Sequence, residues 1–119
     1  MNKKGELKTC IKLCMDYRWQ LEEHISEIDQ EMRTHTWFVD SGKELLSCLG
    51  KLIELLSEFE DSNYKACMHA TQSLYSLVQR VDAECAISAG DVACAEWCKQ
   101  TIVACDQALG CWNHLLTLY

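Results

Sequence analysis

Apolar side chains recur along this chain at intervals of three, four and seven, the period at which one side of a helix faces a core. From Glu6 to about Thr34 the positions Leu7, Ile11, Cys14, Leu21, Ile25, Ile28 and Met32 form such a seam, interrupted by Arg18, and predict a helix over 6–34. The stretch DSGKELLSCLGKLIELLSEFE opens with Ser41 and Glu44 in capping-box spacing, then sets Leu45, Leu49, Leu52, Leu56 and Phe59 on one face. A second helix is predicted over 42–59. In the next segment Asp61 or Ser62 is the N-cap, and Tyr64, Cys67, Thr71, Leu74, Val78, Val81 and Cys85 make a stripe that predicts a third helix over 62–86. SAGD then breaks the pattern, and Asp91 caps a last helix over 92–117 with an inner face of Val92, Ala95, Cys98, Ile102, Cys105, Leu109, Trp112 and Leu116.

Four amphipathic helices with short connections make consecutive helices neighbours, so the expected fold is all-α, an antiparallel four-helix bundle in a single domain over 1–119. A chain of 119 residues buries enough surface to fold without disulfides or metal. The net charge of −7 argues against nucleic acid, because neutralising a phosphate backbone needs clustered Lys and Arg. No apolar stretch has the length that spans a bilayer, so no membrane partner is expected.

Cysteine changes the picture most. There are nine, an odd number, and the start MNKKGELKTCIK lacks the apolar run of a secretory signal. Reduced thiols in the cytoplasm are the expectation. The stretch ACAEWCKQTIVACDQALGC carries four of them at intervals of four, seven and six. Residues four apart on a helix have Cβ atoms about 5–6 Å apart, too far for an unstrained disulfide, which needs about 3.5–4.5 Å. A metal ion between two sulfurs fills that gap. Thiolates select soft ions, and Cu(I) does not require four donors. Cys10/Cys14 and Cys94/Cys98 therefore read as two-thiolate clips, with Cys105 extending the second. Zinc is less natural, because its structural sites draw four ligands, often from CxxC knuckles that this chain lacks. Against metal stands plain packing: cysteine is a small, readily buried apolar residue.

The arrangement resembles the bacterial four-helix bundle copper-binding proteins, the cysteine-rich copper storage family. ACAEWCKQTIVAC is similar to that family's final-helix pattern CAxxCxxCAxxC at Cys94, Cys98 and Cys105, with Thr101 where a cysteine is usual. TCIKLCMDYRWQL matches CxxxCxxCxxxC at Cys10 and Cys14, with Tyr17 and Leu21 in the later places. LLSCLGKLIELL keeps Cys48 but has Leu52 for its partner, and in KACMHATQSLYSLVQRV only Cys67 matches, with Ala70, Leu74 and Leu77 replacing thiols. The resemblance implies thiols lining the bundle interior and holding Cu(I), in multimers of bundles. The replacements imply a lower capacity than the family's, with part of the thiol channel turned into ordinary apolar core.

The remaining chemistry is sparse. His24, His35, His69 and His114 read mostly as surface residues, and neither Cys111/His114 nor Cys67/His69 has the third group that orients a nucleophile and base, so no enzyme is expected. Met15, Met32 and Met68 read as core filler. Trp19 and Trp97 fall off the predicted inner faces, which suggests a helix-to-helix interface and a homo-oligomer. The acidic run Glu22, Glu23, Glu27, Asp29 and Glu31 reads as a solvated face. Three functions follow: a cytoplasmic Cu(I)-binding, storage-like bundle of reduced capacity using Cys10, Cys14, Cys48, Cys67, Cys94, Cys98 and Cys105; a bundle without metal that acts as an oligomeric scaffold or binds a partner; or a thiol-based redox sensor, which needs an exposed cysteine of low pKa such as Cys94 or Cys111.

Overall fold

A computed structural model describes residues 3–29, 37–58, 62–84 and 90–118. They form α1 (Lys3–Asp29), α2 (Trp37–Leu56), α3 (Ser62–Gln79), the single turn α4 (Val81–Glu84) and α5 (Asp91–Leu116). The four long helices pack in a ring, α1 on α2, α2 on α3, α3 on α5 and α5 back on α1, as an antiparallel four-helix bundle with extents of 45 × 20 × 19 Å.

The core follows two interleaved positions per seven residues, the seam of a supercoiled bundle. On α1 it runs Leu7, Cys10, Cys14, Tyr17, Leu21 and His24; on α5 it runs Cys94, Cys98, Thr101, Cys105, Ala108, Trp112 and Leu115. The α5 seam is offset from the predicted face. Cys98, Cys105 and Trp112 are shared, but Val92 is 80% exposed and Ala95, Ile102, Leu109 and Leu116 are only half-buried. Thr101 can lie in the core because its hydroxyl donates to the Trp97 carbonyl at 2.7 Å, and Thr71 does the same to the Cys67 carbonyl at 2.6 Å. The Trp112 indole N–H in turn donates to the Thr71 hydroxyl at 2.9 Å. No polar atom in this chain of contacts is left without its bond, as burial demands.

Three boundaries differ from the sequence expectation. Helix α2 begins before Ser41, so that the Ser41–Glu44 box lies inside the helix instead of capping it. Helix α3 stops at Gln79 instead of running to 86. The Leu77 carbonyl, which a straight helix would offer to Val81, accepts from the Arg80 N–H at 3.1 Å and from the Trp97 indole at 2.8 Å. Asp91 is the first residue of α5, and the cap is Gly90, whose φ of 87° suits a residue without a Cβ. Trp97 is thus a core residue, 2% exposed, whereas Trp19 is exposed as expected. Met32, His35, Phe59, Asp61 and Cys85 lie outside the described residues, as do the side chains of Ile28, Trp37 and Ser62.

Candidate functional site

All seven cysteines expected to hold metal are buried: Cys10, Cys14, Cys48, Cys67, Cys94, Cys98 and Cys105; Cys111 is half-buried. The two thiols of the Cys10/Cys14 motif each meet a thiol on a different helix. Cys10 on α1 is hydrogen-bonded to Cys48 on α2, and Cys14 on α1 to Cys105 on α5. Cys67 on α3 meets Cys111 on α5. Cys94 Sγ lies 3.4 Å from Nε2 of His24 on α1. The charge of Cys10 also raises Cys14.

The proton affinities follow from these contacts. The hydrogen bond to Cys48, then burial, raises the Cys10 thiol far above the ordinary range, while the same hydrogen bond lowers Cys48. Two thiols that share one proton ease the first ionisation and hinder the second. Cys14 is raised by its bond to Cys105 and by burial. Cys67 is pushed up to about 12 by burial, with the charge of Cys111 adding to it. Cys48 is the most open of the seven expected ligands, at the edge of a shallow groove of about 260 Å³ between α1 and α2 that Glu6, Glu44, Ser47 and Lys51 also line.

Sequence reasoning missed two residues here. His24 is 2% exposed, not on the surface, and its Nδ1 lies 3.5 Å from Oε2 of the half-buried Glu27. The signal was present: His24 stands seven residues after Tyr17 and fourteen after Cys10, on the half of the α1 seam that the apolar pattern passed over. Its partner Glu27 is drawn out of the solvated acidic face by that contact, while Glu22 and Glu23 remain exposed. Cys111 was paired in sequence with His114, which is exposed; its neighbour in space is Cys67. His69 is exposed, as expected.

Among the described residues no three His, Cys, Asp or Glu side chains converge in a way that could hold a metal ion. Cys10/Cys48, Cys14/Cys105 and Cys67/Cys111 each offer two soft donors, a number that Cu(I) accepts and that falls short of the four of a tetrahedral zinc site. No helix among the described residues is long and apolar enough to cross a membrane. The chain matches no protein-family model, no curated protein and no solved structure.

Proposed function

We propose that this bundle captures Cu(I) between pairs of thiolates contributed by different helices, as a non-enzymatic, storage-like protein of low capacity in the reducing cytoplasm. The observation that carries this reading is the meeting of Cys10 with Cys48 and of Cys14 with Cys105 across helix interfaces. A buried thiol pair that shares a proton already has two soft donors turned toward one point. A monovalent soft cation can replace the thiol protons there, because thiolate sulfur prefers soft cations to hard ones. Because the donor groups sit on separate helices, metal bound at either pair would tie α1 to a neighbour and add its binding free energy to folding. Cys67/Cys111 offers a third pair nearer the surface.

The test is anaerobic titration of the reduced protein with Cu(I) against a competing chelator, beside a Cys10→Ser/Cys14→Ser variant. The expected result is tight uptake of a few ions by the native protein, with loss of the ions held at these two pairs in the variant. Equal uptake by both proteins, or none by either, refutes the reading.

A second reading, an oligomeric scaffold, is favoured by one surface feature. Ile11, Met15 and Trp19 step by fours along α1, with Met15 57% and Trp19 58% exposed. Leu116 and Asn113 of α5 border the same strip, with Lys8 and Lys12 at its edge. Exposed large apolar side chains in register along one helix suit contact with another bundle.

A further inference from the structure

The thiol pairs do not use the most polar cluster in the core. Where the second half of α1 meets the start of α5, Glu27, His24 and Cys94 stand in line: carboxylate to Nδ1 at 3.5 Å, and Nε2 to thiol sulfur at 3.4 Å. His24 is 2% and Cys94 0% exposed. The Glu27 carboxylate stands beside Nδ1 at ion-pair distance without a hydrogen bond, and its negative charge favours the tautomer that carries the imidazole proton on Nδ1 and presents the Nε2 lone pair to the sulfur. Cys94 is also the fourth residue of α5, its N–H bonded to the Gly90 carbonyl at 3.2 Å, where the positive end of the helix favours a thiolate.

A thiol, an imidazole and an orienting carboxylate in line also describe a nucleophile and its base. Burial decides between the two uses. A substrate has no surface of Cys94 to approach, whereas an ion between the two donors needs only that they part from 3.4 Å toward the sum of a metal–sulfur and a metal–nitrogen bond, about 4.3 Å.

We infer that Cys94 Sγ and His24 Nε2 form a mixed sulfur–nitrogen site for a monovalent soft cation, with Glu27 as the outer carboxylate that fixes the imidazole. The inference rests on the Cu(I) reading for the class of ion, but on different donors at a different place in the bundle. On binding, the Cys94 thiol gives up its proton to solvent and the imidazole stays neutral, so the bound site carries the cation and one thiolate. The carboxylate–imidazole–metal order matches the way metal-bound histidines are held elsewhere, and loss of the outer carboxylate then typically weakens binding by about 10–100-fold.

The experiment uses the reduced full chain, labelled with ¹⁵N and ¹³C, and Ag(I) as a redox-inert stand-in for Cu(I) in chloride-free buffer. At saturation the His24 Nε2 resonance should leave the free-imidazole range together with the Cys94 Cβ signal. His24→Gln should bind one ion fewer than the native protein. Glu27→Gln, at a half-buried position that leaves both donors in place, should keep the native stoichiometry and lose about 10–100-fold in affinity at this site. An unmoved His24 resonance in the loaded protein, or full stoichiometry in a folded His24→Gln variant, overturns the inference. The outcomes also separate the two sites. If Cys10, Cys14, Cys48 and Cys105 respond and His24 does not, the mixed site falls and the thiol pairs stand. If only His24 and Cys94 respond, the reverse holds. No response anywhere removes both.

Discussion

Two kinds of glycine sit inside these helices, and they make opposite demands. At Gly42 a Cβ would lie 3.3 Å from both Cε1 and Oη of Tyr17 and 3.4 Å from Cγ1 of Val78. Tyr17 is fully buried, so its ring has little freedom to retreat. At Gly50 and Gly110 a Cβ meets nothing within 4 Å. Gly50→Ala and Gly110→Ala are therefore expected to stabilise the bundle by about 0.5–1 kcal/mol each through helix propensity. Gly42→Leu is expected to cost about 1–3 kcal/mol through overpacking. Urea denaturation of the reduced proteins gives all three values. Trp97 is the other informative residue. Trp97→Phe keeps most of the buried ring but leaves the Leu77 carbonyl without its indole donor, and the expected cost is about 1 kcal/mol in the same measurement. The aromatic side chains of Trp19 and Trp97 look alike as letters in the sequence. What separates them is whether another helix passes over the position.

At the scale of the element, periodicity identified each long helix and most of the α2 and α3 faces, where the apolar residues are large. Leu45, Leu49, Leu52 and Leu56 are buried as the pattern predicts, and so are Cys67, Leu74 and Val78. It failed by one position on α5, because the buried side there holds Thr101, Ala104 and Ala108, small or hydroxylated residues that a search for large apolar side chains passes over. These small residues let a neighbouring helix come close. Arg18, which interrupts the predicted α1 seam, does not enter the core. Its guanidinium reaches Asp106 of α5 at 2.6 and 3.3 Å and Glu22 at 2.6 Å, a surface network of small energetic weight. The outward strip of α1 carries its own expectation: Met15→Glu/Trp19→Glu should leave the helical circular dichroism unchanged and reduce the sedimentation coefficient if bundles associate through it. A native protein that sediments as a monomer at every concentration removes the scaffold reading through this face.

For the whole molecule, the buried thiols tie stability, metal and pH together. Cys14 and Cys67 are held protonated in the folded chain above their ordinary value of 9.0. A group whose proton is held more tightly in the folded state favours folding below its unfolded pKa, and that advantage is lost as pH rises toward the folded value. Cys10 contributes in the same sense and Cys48, lowered by its hydrogen bond with Cys10, in the opposite one. Thermal melts of the metal-free, reduced protein should therefore hold level near neutral pH and fall above about pH 8.5, where unfolded thiols ionise. Cu(I) should reverse the trend. Its capture needs thiolates, so apparent affinity should rise with pH while about two protons leave for each ion taken at a thiol pair, measurable in weakly buffered solution.

Helical period is a local property, and it was enough to set the four long helices and to turn Cys14, Cys67, Cys98 and Cys105 inward, whereas Cys10, Cys48 and Cys94 lie off the predicted faces and are buried all the same. It could place Cys10 beside Cys14 and Cys94 beside Cys98 on the same helix. The thiols that Cys10 and Cys14 meet on other helices come from the packing, since the direction of a side chain on a seam is completed by whichever helix packs against it. The meetings of Cys10 with Cys48, Cys14 with Cys105, Cys67 with Cys111, and Cys94 with His24 span 38, 91, 44 and 70 residues of chain. Separations of that length are set by how four helices pack into a ring, and no spacing rule within one helix contains them.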